Sequence, residues 1–295
     1  MEGAGPDSQF ELRRGVMMKH SVSYIAIIAV TGMMGSAAFA ADATLEERFE
    51  GPLPAVSGVN GKIEAAYTYI DVDDLGDANM GDIGGSIAIP LGQQFGLQFD
   101  GGVATAEDLG TGFGVGVHAF WRDPSTALLG FYGDVVRYDT DFGPDVTNWR
   151  AGAEGELYLD RFTIEGFAGA DFTDAGDEDE TYFSAEALAA FYVTDDFRLQ
   201  AGVGHRFDDT FARIGAEAML PFADRNVALF ADGSFGDDVT AARVGMRVYF
   251  GEAGKSLKDR HRQDDPRMRL FDVFGGSFQS DDADYKPPCI GEGCQ

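Results

Sequence analysis

The amino-acid sequence predicts an all-β fold, a closed antiparallel up-and-down transmembrane β-barrel of about twelve strands. Apolar and polar residues alternate with a period of two between residues 61 and 250. Turn residues separate the alternating segments, and glycine and phenylalanine are abundant, with 40 and 24 copies in the chain. Because successive residues of a strand point to opposite faces, the alternation predicts a sheet with one apolar and one polar face.

Twelve segments are strand candidates, each near the length of about ten residues that a tilted strand needs to cross the hydrocarbon core. They are residues 61–70, 82–90, 95–104, 112–122, 126–137, 148–159, 162–171, 181–193, 197–207, 211–221, 226–235 and 239–250. An even number is typical of single-chain bacterial barrels. Tight links such as Asp160-Arg161 alternate with longer or more acidic links, such as residues 71–81 and residues 236–238. Since these barrels have short periplasmic turns and longer outer loops, the acidic links are predicted to lie outside.

One face of each strand is apolar and the other is charged. In the segment 148–159, Trp149 and Leu157 alternate with Arg150 and Glu154. Lipid provides no hydrogen-bond partners, so a closed barrel with its charges inside is the expected solution. The residues predicted to line the lumen are Lys62, Glu64, Asp100, Arg150, Glu154, Glu156, Glu165, Glu186, Arg198, Arg206, Arg213, Glu217, Arg243 and Arg247.

The last strand candidate carries the most specific local pattern. Arg243, Gly245, Val248 and Phe250 form the series polar-x-Gly-x-x-apolar-x-aromatic. This series resembles the terminal-strand signal that the barrel assembly machinery recognises in outer-membrane proteins of Gram-negative bacteria. The resemblance to porin-like outer-membrane β-barrel proteins covers residues 61–250. It implies the outer membrane as the location, with its lipid and the assembly machinery as partners; the family usually ends at the aromatic residue, whereas here the chain continues.

The region before the barrel is predicted to be a secretory signal. Lys19 precedes an apolar run that begins at Tyr24, and Ala38-Phe39-Ala40 is a small-x-small cleavage site. Residues 1–40 are therefore assigned to an upstream extension and a signal peptide, and residues 41–60 to a linker. The alternative is an uncleaved anchor, although the run is shorter than the about 20 residues of a spanning helix.

Residues 251–295 differ in composition from the barrel. A basic stretch from Lys255 to Arg269 is followed by an acidic end that contains proline. The first expectation is a flexible periplasmic tail, largely disordered. The alternative is a segment that docks in the mouth of the lumen or binds a periplasmic partner. Cys289 and Cys294 are predicted to form a local disulfide in an oxidising periplasm.

The charge of the chain restricts its function. A formal net charge of −28 argues against nucleic acid as a partner, because a negative field repels phosphate. Acidic residues concentrate in the sixth to eighth strands and basic ones in the ninth, tenth and twelfth. In a closed barrel, acidic and basic strands on different sides would create a transverse electric field across the lumen. Such a field predicts a passive pore for small hydrophilic solutes or ions. The alternative is a structural or adhesive surface barrel that does not conduct, because ion pairs plug its lumen.

An outer-membrane hydrolase is the less favoured interpretation. His118 and His205 lie on strand candidates, but the sequence holds no nucleophile motif such as G-x-S-x-G. The acidic link after residue 70 resembles a calcium loop loosely, and Leu75 stands where an oxygen ligand is required. We therefore expect no catalytic residue, no cofactor and no metal site.

Overall fold

The computed structural model describes residues 52–72, 76–106, 110–140, 145–175, 178–237 and 239–275. The predicted signal peptide, Cys289 and Cys294 lie outside these residues. Within the described part of the chain, no helix has both the length and the apolar character needed to cross a membrane.

Twelve strands lie within the described residues and form one closed barrel. Each strand is antiparallel to its neighbours in sequence, and β1 closes the barrel by pairing with β12. The strands are β1 (Asn60–Val72), β2 (Gly76–Leu91), β3 (Phe95–Ala106), β4 (Gly110–Asp123), β5 (Ala127–Thr140), β6 (Val146–Leu159), β7 (Phe162–Ala175), β8 (Glu178–Thr194), β9 (Phe197–Arg206), β10 (Asp209–Met219), β11 (Val227–Phe235) and β12 (Val239–Phe250). The predicted closed antiparallel barrel of twelve strands is confirmed.

The links at the two ends of the barrel are both short. We call the end with the links 92–94, 124–126, 160–161, 195–196 and 220–226 the turn end, and the opposite end the loop end. The prediction of longer links at the loop end is wrong, because β1 and β2 continue to residues 72 and 76 and Asp71 pairs with Asp77 across them. Asp71 and Asp77 are both exposed, so their carboxylates can face solvent while the backbone continues its ladder of hydrogen bonds. Assignment of the turn end to the periplasm stays a prediction.

The outer surface of the barrel is apolar. Large hydrophobic side chains are exposed along the wall, including Val117, Phe131 and Val244. Exposed aromatic residues lie near both ends, as in the aromatic girdles of membrane barrels. They are Phe95, Phe162 and Phe222 at the turn end, and Tyr69, Phe113, Trp149, Phe172, Phe183 and Phe235 toward the loop end. The predicted arrangement, with the apolar face outside, is present.

The chain beyond β12 turns back into the barrel. Gly251 has a φ of 112°, in the left-handed region that glycine adopts at little cost, and it reverses the chain. A short helix α1 (Leu257–Asp259) runs into the π-helical residues Arg260–Asp264, and a 3-10 helix covers Leu270–Gly275. We call residues 255–272 the plug segment.

The plug segment runs the length of the lumen. At the turn end, the Leu257 amide donates to Asp196 Oδ1 at 3.2 Å. Asp196 immediately precedes the first residue of β9. Leu270 packs against Phe207, which follows the last residue of β9. For these residues the structure differs from the predicted flexible periplasmic tail and agrees with the docking alternative. A twelve-stranded wall is wider than the eight-stranded wall that its own side chains fill, so the lumen has room for this segment.

The turn end is also closed by residues that precede β1. Val56 is buried against Ala88, Phe120, Leu128 and Tyr158. The Ala55 amide donates to the carbonyl oxygen of Gln93 at 2.8 Å. The last residues of the predicted linker 41–60 are therefore packed against the barrel.

A charge on the outer wall is expected to destabilise the protein in lipid. Val117 is exposed and lies at the centre of β4, so Val117→Arg should lower the free energy of unfolding by about 2–4 kcal/mol, the range for arginine at the bilayer midplane. Urea unfolding in phospholipid vesicles measures this difference. Leu53→Arg is the matched control, because Leu53 is exposed outside the wall. Equal stability of the two variants would contradict a lipid-facing surface.

Candidate functional site

The candidate site is the lumen with the plug segment inside it. All fourteen charged residues predicted to line the lumen lie on the inner side of the wall, where each is buried or half-buried. The alternation of each strand puts them there, because their neighbours in sequence are the exposed apolar residues. Sequence reasoning missed Asp82, Arg122 and Asp171, which are also buried inside the wall. The alternation of β2, where Asp82 shares a face with Gly84 and Ser86, is the signal for the first of these.

One group of wall residues is paired without the plug segment. Arg243 donates to Glu64 Oε1 at 2.7 Å and also to Asp82. Arg247 donates to Glu64 Oε2 at 2.7 Å and to Glu217 Oε2 at 2.6 Å. These arginines, on β12, therefore have their partners on β1, β2 and β10, within the wall itself.

Further ion pairs join strands of the wall on the opposite side. Arg150 donates to Asp134 Oδ2 at 2.6 Å, and Arg198 lies 3.2 Å from Glu165 Oε1. Arg206 pairs with Asp171. The wall thus neutralises much of its own buried charge before the plug segment contributes, as burial of ions requires.

His118 is the centre of a buried cluster on β3, β4 and β6. Its Nδ1 lies 2.8 Å from Glu154 Oε1, and its Nε2 lies 3.0 Å from Asp100 Oδ2. The imidazole is fully buried beside the ring of Tyr132, with a centroid distance of 4.4 Å. Because carboxylates occupy both ring nitrogens, His118 is not free to activate a nucleophile.

His205 does not form a dyad with its acidic neighbour. Its Nε2 lies 4.0 Å from Asp208 Oδ1, beyond hydrogen-bond distance, and its Nδ1 lies 2.9 Å from the Thr210 hydroxyl. The His205 imidazole and the Asp208 carboxylate therefore do not form a hydrogen-bonded pair.

At the turn end, the plug segment is held by hydrogen bonds and ion pairs. Asp264 accepts from Lys255 Nζ at 2.7 Å and from the Ser57 hydroxyl at 2.6 Å. Burial raises the pKa of the Asp264 carboxyl above its usual value. Arg260 donates to Asn226 Oδ1 at 2.7 Å and to two backbone carbonyl oxygens. Lys62 of the wall pairs with Asp265.

His261 of the plug segment is buried among wall residues. Its Nδ1 lies 3.1 Å from the Tyr192 hydroxyl and 3.2 Å from Arg198 Nη1, and its Nε2 lies 3.3 Å from the Tyr249 hydroxyl. Burial lowers the pKa of His261 well below its usual value, and Arg198 and Lys62 add to this effect. The docked imidazole is therefore neutral at neutral pH.

In the middle of the lumen, the plug segment pairs with both signs of charge on the wall. Arg267 Nη1 and Arg269 Nη1 lie 3.0 and 3.1 Å from Glu186 Oε2. Arg213 donates to Asp272 Oδ1 at 2.7 Å. Burial opposes the charged form of Asp272, but Arg213 and Arg267 together hold its pKa well below the usual value.

Backbone groups of the plug segment also contact the wall. Gln98 donates to the Pro266 carbonyl oxygen at 3.2 Å, and Arg150 donates to the Arg269 carbonyl oxygen at 2.8 Å. At Gly84, a Cβ would lie 2.6 Å from the ring of Phe271, so the wall needs glycine to admit this ring.

A cavity of about 90 Å³ remains between the plug segment and the wall. Its lining includes Glu156, Thr163, Glu165, Arg198 and Arg213 of the wall. Glu165 Oε2 is buried and has no hydrogen-bond partner among the described residues. In the described part of the chain, no group of three or more His, Cys, Asp and Glu side chains is arranged to hold a metal ion.

Comparisons with known proteins identify the fold. No protein-family model matches the chain, and no curated protein matches it. The structure of the KdgM porin in complex with disordered oligogalacturonate is similar, with 13% identity and a TM-score of 0.50 over 64% of this chain and 99% of that chain. A second KdgM porin structure gives 13% identity and a TM-score of 0.49 over the same shares. Outer membrane phospholipase A from Escherichia coli gives 12% identity and a TM-score of 0.44 over 65% of this chain and 92% of that chain.

These identities are low, so the comparison concerns the fold. The chain has the fold of outer-membrane β-barrel proteins, and the porin-like barrel predicted from the sequence is confirmed at that level. The outer membrane, predicted as the location, is the environment of barrels with this fold and this apolar surface.

Docking of the plug segment should weaken as the pH falls. The docked state keeps His261 neutral, whereas a released imidazole has a pKa of about 6.5. Below about pH 6.5 the released state binds a proton that the docked state excludes, so docking weakens by up to about tenfold per pH unit until the lowered pKa is reached. Hydrogen exchange of the plug amides, corrected for intrinsic rates, measures this between about pH 7.5 and about pH 5.5.

The matched control is His261→Gln, which cannot take up a proton. Asp264 contributes with the opposite sign, because its raised pKa lets the docked state bind a proton more readily. The variant should therefore lose the weakening or reverse it. Equal slopes in the two proteins would refute the role of His261.

Proposed function

From the fold of outer-membrane β-barrels, we propose that this protein is a pore for small hydrophilic solutes or ions that its own plug segment closes. The observation that carries the proposal is the path of residues 255–272, which fill the lumen from the turn end to the loop end. With the plug segment docked, a cavity of about 90 Å³ lies beside it. We take this docked arrangement as the closed state, so that conduction requires the plug segment to move.

The contacts in the middle of the lumen support a plug that can leave. They are ion pairs and hydrogen bonds, such as Arg267 with Glu186 and Arg213 with Asp272. A buried ion pair contributes little net stability, because desolvation offsets most of its attraction. Water that enters an open lumen can solvate the same groups. Apolar anchors lie toward the ends of the plug segment, at Leu257 and Leu270.

The terminal strand supports assembly of this barrel in the outer membrane by the barrel assembly machinery. Gly245 pairs with Ala66 of β1, and Phe250 pairs with Gly61 at the turn end. Val248 is exposed on the outer face, while Arg243 is directed inward to Glu64. The assembly signal proposed from the sequence thus belongs to the strand that closes the barrel.

Reversing one plug charge is expected to open the pore. In Arg269→Glu, a carboxylate on the plug segment meets Glu154 and Glu186, so the plug is repelled where it is now attracted. Breaking buried pairing costs about 3 kcal/mol or more, which shifts docking by roughly 100-fold toward release. Planar bilayers with the full-length chain should show discrete conductance steps that are rare in the unmodified protein.

Arg137→Glu is the matched control, because Arg137 makes its ion pairs at the exposed loop end. It should stay as closed as the unmodified protein. Heat-modifiable migration on gels establishes that each variant is folded. A folded Arg269→Glu barrel that remains silent would refute the pore and favour the structural, non-conducting barrel.

A further inference from the structure

Two levels of carboxylates lie next to each other on β6, β7 and β8. Glu154 and Glu186 flank Phe167, which pairs with both of them across the sheet. Glu156 and Glu165 pair directly with each other at the adjacent level. We call these four glutamates the acidic strip. Like charges directly opposite each other destabilise a sheet, so an arrangement of this kind requires compensation by cations.

The first level already holds an organic cation in the closed state. The guanidinium of Arg269 has Nε 3.5 Å from Glu154 Oε2 and Nη1 3.1 Å from Glu186 Oε2. Its central carbon lies 5.3 Å from the centre of the Phe167 ring. Two carboxylates and an aromatic face are the groups that recognise guanidinium and ammonium ions. The plug segment thus presents a stand-in for a ligand of this class.

The second level is only partly compensated. Glu165 Oε1 faces Arg198 at 3.2 Å, and Glu156 Oε2 accepts from the Tyr158 hydroxyl at 2.9 Å. The Glu165 side chain is almost fully buried, with only 5% of its surface exposed, yet its Oε2 has no hydrogen-bond partner among the described residues. Both glutamates line the cavity beside the plug segment. Arg198 and Arg213 line the same cavity, and Glu165 Oε2 is a buried carboxylate oxygen there that no described residue pairs.

Release of the plug segment makes the lumen more negative. From residue 255 to residue 272 the segment has four arginines, two lysines and four aspartates, and its docked histidine is neutral. Its departure removes Arg269 from Glu154, and both Arg267 and Arg269 from Glu186. Glu154 then keeps His118 at 2.8 Å and Glu186 keeps Arg213 at 2.9 Å, so one oxygen of each carboxylate is freed. Release also removes Asp265 from Lys62 and Asp272 from Arg213. The lumen still becomes more negative overall, because the departing segment carries a net positive charge, and a more negative lumen favours cations.

We infer that the acidic strip is a binding site for small organic cations that carry guanidinium or primary ammonium groups, and that the open pore selects such solutes. Arg269 occupies the first level of this site in the closed state, and the second level lies in the cavity. This inference rests on the proposed pore. It adds the class of solute and the residues that recognise it.

Measuring the reversal potential distinguishes a cation-selective pore from a pore that conducts cations and anions equally. The opened full-length Arg269→Glu variant is placed in a gradient of arginine hydrochloride across a planar bilayer. We expect the argininium ion to be more permeant than chloride. Adding Glu156→Gln should reduce the argininium-to-chloride permeability ratio by about threefold or more, because the lumen then loses one of its cation-attracting charges.

Glu156 suits this test because its hydrogen bond from Tyr158 does not involve the plug segment. A second variant, Glu165→Gln, should give the same direction of change. The control is Asp160→Asn, which removes a charge at the turn end, at a φ of 42° that asparagine tolerates. It should leave the permeability ratio unchanged.

The outcomes separate the two proposals. Conductance with chloride favoured, or with a ratio that Glu156→Gln and Glu165→Gln leave unchanged, would overturn the cation site and leave the pore intact. Absence of conductance in the folded Arg269→Glu protein would overturn the pore itself. A separate measurement on the unmodified closed protein is thermal stabilisation by argininium, which the free second level of the acidic strip predicts and which sodium should not reproduce.

Discussion

The pairing of β1 with β12 is the constraint on which the rest of this structure depends. Once Gly61 pairs with Phe250, neither β1 nor β12 leaves an open sheet edge, and the barrel can lie in lipid. Closure also fixes the circumference at twelve strands. A wall of this size encloses more space than its own side chains fill, and charged groups face that space. Both the plug segment and the ion pairs follow from this geometry.

Opposite charges inside the barrel are partitioned between wall and plug. Arg243 and Arg247 are neutralised within the wall, whereas Glu186 receives both Arg267 and Arg269 from the plug segment. Arg243 and Arg247 therefore need no plug residue, whereas Glu186 has one wall partner, Arg213, and two further partners from the plug segment. This asymmetry connects closure of the lumen with the class of solute proposed for the open state.

Sequence patterns predicted the wall well and its contents poorly. Alternation is a local property, so the inward position of Arg150 or Glu154 follows from neighbouring residues alone. Link lengths at the loop end were overestimated, because Asp71 and Asp77 were interpreted as loop residues although they pair with each other across β1 and β2. The plug segment depends on complementarity between distant residues, such as Arg267 and Glu186, which are 81 positions apart. Its basic composition was visible, but no local pattern encodes the partner.

The position of the plug segment in the chain has a consequence for biogenesis. It follows β12, so it is synthesised after every strand of the wall, and it is tethered at the turn end through Gly251. Its far end, near Phe207, is reached only by passing along the whole of β9. The segment inside the barrel is therefore synthesised after the wall that surrounds it. If β1 and β12 had already paired, the plug segment would have to thread into the closed barrel. A segment positioned before these strands pair is enclosed when they do.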